Sequence, residues 1–192
     1  MNNNVIDLKN EVQQADEAFA LDWYKDNDKY TDIGAAVHSI KYEYIFKGRS
    51  IDEEMDKKLD FLVEKLLPFT NDIDLILPMP SFNPKHENNQ EGDLKIMYIL
   101  SDKLSSRGKA VNYSTLKKTS SMQAKNSQPN ESDYIAGNLN PEDQKVLLID
   151  DLFGEGNTAR YTILALKKKN PNIFVRFISL TKNQYGGIPK CY

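Results

Sequence analysis

With 192 residues, 40% of them hydrophobic and 28% charged, the chain can bury one full core, so one domain with an N-terminal addition is the economical expectation. A net charge of −3 and a pI near 5.5 supply no general attraction to nucleic acid or to an anionic membrane. No apolar run reaches spanning length and the first ten residues lack the basic and apolar parts of a secretory leader, so a cytoplasmic protein is expected.

From about Val5 to Tyr30 the chain is polar and helix-compatible, with Val12, Ala15, Phe19 and Trp23 spaced by three or four. This predicts an N-terminal helical extension over residues 1 to 30, with Phe19 and Trp23 offering a surface for a protein partner or a homodimer. A second helix is predicted over residues 32 to 46, with Ile33, Val37, Ile40, Tyr44 and Ile45 mostly on one face. His38 falls in this apolar pattern and reads as a core or interface residue. A third helix is predicted over residues 51 to 67, opened by Ser50 and Glu53 in a capping-box pattern and carrying Met55, Leu59, Leu62, Val63 and Leu66 inward.

Residues 74 to 77 read as the first buried strand, closed by Pro78-Met79-Pro80, since proline cannot donate to a ladder. A polar loop over residues 81 to 91 leads into a helix from Leu94 to Arg107-Gly108. Residues 115 to 138 are rich in Ser, Thr, Lys, Gln and Asn and predict a loop able to close over a ligand, with Lys117, Lys118 and Lys125 as phosphate contacts.

Val146 to Ile149 form an apolar run without alternation, as in a parallel strand covered on both faces. Asp150 and Asp151 follow where that strand ends, which in an open α/β sheet is the ligand crevice, and their oxygens can accept from vicinal hydroxyls. Gly154 and Gly156 permit a tight turn, Asn157 or Thr158 can cap the helix that runs to Lys169, and its free N–H groups make an anion site. Lys167 to Lys169 and Asn170-Pro171 mark its end. Strand and helix units alternate in this way to give an α/β fold with a doubly wound, mainly parallel sheet and flanking helices. A nucleotide-hydrolase reading of the same strand needs an upstream Gly-x-x-x-x-Gly-Lys-Ser/Thr loop, which the chain lacks.

The run Asp150-Asp151-Leu152-Phe153-Gly154-Glu155-Gly156-Asn157-Thr158 resembles the ribose-phosphate signature of the type I phosphoribosyltransferases. The resemblance implies that Asp150 and Asp151 bind the ribose hydroxyls of phosphoribosyl pyrophosphate (PRPP). It also implies that Gly154, Glu155, Gly156, Asn157 and Thr158 wrap the 5′-phosphate, and that Mg²⁺ accompanies the ligand. Glu155 stands where the family usually has a hydroxyl residue.

The order of parts from about residue 31 to residue 181 resembles the ComF subgroup of that family. Lys41-Tyr42, Pro78-Met79-Pro80, Asn89-Gln90, Leu116-Lys117-Lys118, Gln123 and Gly137-Asn138 carry the likeness, and the subgroup's zinc-binding cysteine module is missing. The single Cys191, with only His38 and His86 as further ligands, could not build such a module. The resemblance implies a pyrophosphate turn at Pro80, Ser81 and Lys85, and a flexible loop carrying Lys117, Lys118 and Gln123. His86 is a weaker pyrophosphate candidate.

Three readings stay open at this point. One is transfer of the phosphoribosyl group to a nitrogen nucleophile. A second is a non-catalytic nucleotide- or PRPP-binding module in a DNA-processing, competence or defence system. The third, weakened by the acidic balance, is a nucleic-acid accessory protein.

Overall fold

The computed structural model describes residues 5–82, 84, 94–119 and 130–184. In chain order the strands are β1 (Ile6–Asp7), β2 (Glu17–Trp23), β3 (Lys25–Asp26), β4 (Lys29–Tyr30), β5 (Leu75–Pro78), β6 (Leu116–Lys118), β7 (Tyr134–Ala136), β8 (Lys145–Phe153) and β9 (Phe174–Lys182). The helices are α1 (Asp32–His38), which continues as a π-helix over Ser39–Ile45, then α2 (Glu53–Leu66), α3 (Ile96–Ser106) and α4 (Asn157–Lys169).

The central sheet runs β1-β2-β9-β8-β5, parallel throughout except for β1. Val111 extends it by a parallel bridge to Ile76. The expected doubly wound α/β architecture with a mainly parallel sheet and flanking helices is therefore what forms.

Alternation along β8 divides the core in two. Leu147 and Ile149 face a layer of α1, α2 and α3, joined by Ile76, Ile178 and Leu21. Val146 and Leu148 face the opposite layer, where α4 and the β6–β7 ladder pack with Leu77, Val175 and Phe177. All four β8 residues are fully buried. Truncating one, as in Leu148→Ala, removes about 2–5 kcal/mol of stability through lost transfer energy and the cavity left behind.

The N-terminal segment departs from expectation. Residues 17 to 23 are a strand paired along β9, and no described residue between 5 and 30 is helical. Phe19 and Leu21 reach the three-helix layer while Ala18 and Ala20 reach the α4 layer, so both faces are apolar and no polar alternation is visible. Pairing with β9 overrides the helix preference of Glu, Ala and Leu. Arg176 locks the register: its Nε donates to Glu17 at 2.6 Å, and its Nη1 donates to Asp72 at 2.6 Å and to the Phe69 carbonyl at 2.9 Å. Phe19 stacks near Phe69 and Trp23 lies beneath the Lys182 ammonium, so neither presents a helical partner surface.

The helix starts also differ in detail. α2 is capped by Asp52, whose carboxylate accepts from Met55 N, and not by Ser50. α4 begins at Gly156, in the left-handed region at φ 77°, with no side-chain cap; Asn157 and Thr158 lie inside the helix. No described helix is long and apolar enough to cross a membrane.

Candidate functional site

Because β2, β9, β8 and β5 run parallel, their carboxyl ends share one edge of the sheet. Asp150 and Asp151 lie within the last four residues of β8, which runs on to Phe153, so the acids stand inside the strand and not at the end expected just after Ile149. Their backbone stays in the ladder: Asp150 pairs with Ser179, and Thr181 Oγ1 donates to the Asp151 carbonyl at 2.9 Å. Asp151 N donates to Asp150 Oδ1 at 2.8 Å.

Successive side chains of a strand point to opposite faces, and the partners of the two acids obey that rule. Asp151 meets the three-helix layer, where Lys41 Nζ donates to its Oδ2 at 2.6 Å. Burial opposes the charge on Lys41, but attraction and hydrogen bonding from Asp151 outweigh it and hold the amine above its usual value. Asp150 belongs to the opposite face. Burial first, and then repulsion from Asp151, push its carboxyl up to about 7 against a weaker opposing pull from Lys41.

The turn from Gly154 to Thr158 lies directly beyond the acids. At Gly156 a Cβ would fall 2.7 Å from the ring of buried Phe153, and φ is positive, so both space and backbone call for glycine. Glu155 is exposed; Asn157 Nδ2 donates to its Oε2 at 3.3 Å. Arg160 bends back over the turn, donating from Nη2 to the Glu155 carbonyl at 3.2 Å and also to Asn157 Oδ1. A guanidinium thus stands against the backbone of the turn. The free N–H groups at the start of α4 and this cation together suit an anion.

The β6–β7 ladder stands over the same turn. Tyr134 is buried and its hydroxyl lies 3.4 Å from Thr158 Oγ1. Lys118 pairs across the ladder with Tyr134, whereas Lys117 pairs with exposed Ile135. The two lysines expected to act together therefore alternate between faces. They are also strand residues, where the sequence predicted loop.

Pro80 is buried and Ser81 half-buried in the turn after β5, beside the β8 edge through the bond from Met79 N to the Ile149 carbonyl at 2.9 Å. Tyr98 of α3 lies beside Ser81, and burial raises its hydroxyl to about 12. A cavity of about 560 Å³ joins Ser81, Tyr98, Asn112, Tyr113, Lys117 and Lys118, so the predicted pyrophosphate turn and loop cations share one recess. Lys85, His86, Asn89-Gln90, Gln123, Lys125 and Cys191 lie outside the described residues.

His38 is not at the acid pair. Its Nδ1 lies 2.8 Å from the Tyr24 hydroxyl and 3.0 Å from that of Tyr30, in an aromatic cluster with Tyr42. Lys41, Tyr134 and Arg160 are the site residues that sequence reasoning missed. Only Lys41 carried a signal, as part of the Lys41-Tyr42 pair.

Among the described residues no group of three His, Cys, Asp or Glu side chains could hold a metal. Asp150 and Asp151 nonetheless give hard oxygen donors of the type a magnesium ion takes, provided that a ligand supplies most of the others.

The model of the phosphoribosyl transferase domain matches residues 94–190, a span of half the chain that includes the acid pair and the turn at 154 to 158. No curated protein matches the sequence significantly. Among solved structures, the Helicobacter pylori xanthine-guanine-hypoxanthine phosphoribosyltransferase is similar at 13% identity and a TM-score of 0.43, over 71% of this chain and 78% of that one.

Proposed function

Since the chain belongs to the phosphoribosyl transferase domain family, we propose that it binds PRPP or a related ribose 5-phosphate at the carboxyl edge of its sheet. On this reading it transfers the phosphoribosyl group to a nitrogen nucleophile. The observation that carries the reading is the strand that holds Asp150 and Asp151 near its carboxyl end and passes, through a turn with Gly156 at φ 77°, into the bare N-terminus of α4.

The ribose spans the strand end, with Asp150 and Asp151 accepting from its 2′ and 3′ hydroxyls. The 5′-phosphate takes the N–H groups of Gly154 to Thr158 and the charge of Arg160. The pyrophosphate lies toward Pro80, Ser81 and Lys118. Magnesium, bound mainly through ligand oxygens with an acid reaching it through water, would neutralise the leaving pyrophosphate. The C1–O bond to pyrophosphate breaks, a C1–N bond forms, and the nucleophile's proton passes to solvent. The chain contributes position and charge, with no covalent intermediate required.

Lys41-Tyr42, the Pro78-Met79-Pro80 strand end and the order of later parts support a ComF-like placement within the family. A second reading, binding without transfer, is supported by Glu155, whose negative charge beside the phosphate turn weakens a site that a transferase would keep strong.

Calorimetric titration with PRPP and Mg²⁺, with ribose 5-phosphate and with a nucleoside monophosphate tests both readings. Saturable binding that disappears in the Asp150→Ala, Asp151→Ala double variant is expected; equal binding by the variant would remove the acids from the site. Pyrophosphate release in the presence of candidate bases then separates transfer from binding alone.

A further inference from the structure

Lys41 reaches the acid pair from a part of the chain 110 residues away, and the helix that carries it is wound abnormally where it does so. Phe46 N bonds to the Lys41 carbonyl at 3.0 Å and Arg49 N to the Tyr44 carbonyl at 2.9 Å, both spanning five residues. The segment Ser39–Ile45 is accordingly a π-helix, a geometry rare in ordinary helices and recurrent where a side chain must be re-aimed at a functional site. The wider turn accompanies a sharp division of labour. Ile40 and Tyr44 are fully buried in the core, while Lys41, next to Ile40, extends along the same layer to the strand end.

The contact is selective. The Lys41 side chain is 35% exposed and that of Asp151 13%, so the pair is largely withdrawn from solvent. Covering two charges costs about as much as their attraction returns, so such a pair has little purely structural reason. The ammonium is well placed to fix the direction of the carboxylate.

We propose that Lys41 is a positioning residue of the ribose site: its ammonium engages Asp151 Oδ2 and leaves Oδ1 to accept from a ligand hydroxyl, while Asp150 serves the other face of the strand. The proposal rests on the ribose-phosphate reading above. It makes the π-helix part of the site, although this helix lies outside the residues that match the family model. The hydrogen bond and ion pair of Lys41 go to Asp151, so its effect passes through that acid.

The test is a double-mutant cycle read by calorimetry with PRPP and Mg²⁺, using Lys41→Met, Asp151→Asn and the combination, with inorganic phosphate as a second probe. Thermal melting confirms that each variant is folded, and Lys41→Gln replaces Lys41→Met if the latter is not. The expected result is an affinity for PRPP about tenfold or more lower in Lys41→Met, recovery to within about threefold in Lys41→Arg, and unchanged phosphate binding. In the Asp151→Asn background the Lys41→Met change is expected to cost less than about twofold. Unchanged PRPP affinity in Lys41→Met, or an equal loss in both backgrounds, overturns the role of Lys41 while leaving the pocket intact. Absence of PRPP binding by the unaltered protein overturns the ribose-phosphate reading and this proposal with it.

Discussion

Lys118 and Tyr134 stand directly opposite each other in the β6–β7 ladder, and the Tyr134 hydroxyl reaches Thr158 at the phosphate turn. Directly opposed residues of a ladder share a face, so the Lys118 stem lies on the face of buried Tyr134 while Lys117 shares that of exposed Ile135, although both lysines line the recess at Ser81. Burial lowers the pKa of Lys118, with Asp133 opposing the effect and Lys95 adding to it. Lys118→Ala should weaken PRPP binding about tenfold or more, the worth of one charged hydrogen bond. Lys117→Ala should stay within about twofold. Titration of the two variants side by side checks this, and equal losses would show that the ladder does not sort its lysines.

Asp150 links the site to stability. With its carboxyl raised to about 7, the folded chain keeps a proton that the unfolded chain releases from about pH 4 upward. Stability contributed by the protonated acid is therefore present at low pH, is lost as pH rises between about 4 and 7, and stays lost above that. Asp150→Asn removes the titration. Urea unfolding should find the variant more stable than the parent at pH 8 by about 1–3 kcal/mol and little different at pH 4. Equal stability at pH 8 would mean that the acid is better solvated than its surroundings indicate.

Gly156 bears on fold and ligand together. Alanine there must hold φ near 77° and displace the buried Phe153 ring, at a cost of about 1–3 kcal/mol. Gly156→Ala should lower the melting temperature and weaken inorganic phosphate binding in parallel. A variant that lost neither would show that the turn has another low-energy form.

Glu155 acts on affinity through charge alone, because its side chain is exposed and bonded to Asn157. Glu155→Thr should strengthen phosphate binding about two- to fivefold at low salt, and the gain should fade near 1 M salt, where exposed charges are screened within about 3 Å. A gain independent of salt would point to a new hydrogen bond from the threonine hydroxyl instead.

The succession of strand, acid pair, glycine turn and helix was legible because these parts follow one another in a single run, so local chemistry specifies their arrangement. The contributions of Lys41 and Tyr134 are tertiary: each comes from a distant element, and no spacing rule connects it to Asp150-Asp151. The strand at 17 to 23 was misread for a related reason. A strand apolar on both faces, as Ala18, Phe19, Ala20 and Leu21 require, shows no period of two, and Val12, Ala15, Phe19 and Trp23 imitate a helical stripe. Asp52 replaced Ser50 as cap because both residue types accept from a free N–H and the choice between them depends on where α2 meets the core.

The strand misread as a helix also guards the molecule against its own kind. β2 covers β9 over residues 17 to 23, and among the described residues β2's outer side pairs with the two-residue β1. A fragment begun at residue 31 would leave the nine-residue β9 with a bare row of backbone donors and acceptors, a template on which a second copy could add a strand. β2 thus serves as a built-in barrier to aggregation as well as a wall of the core.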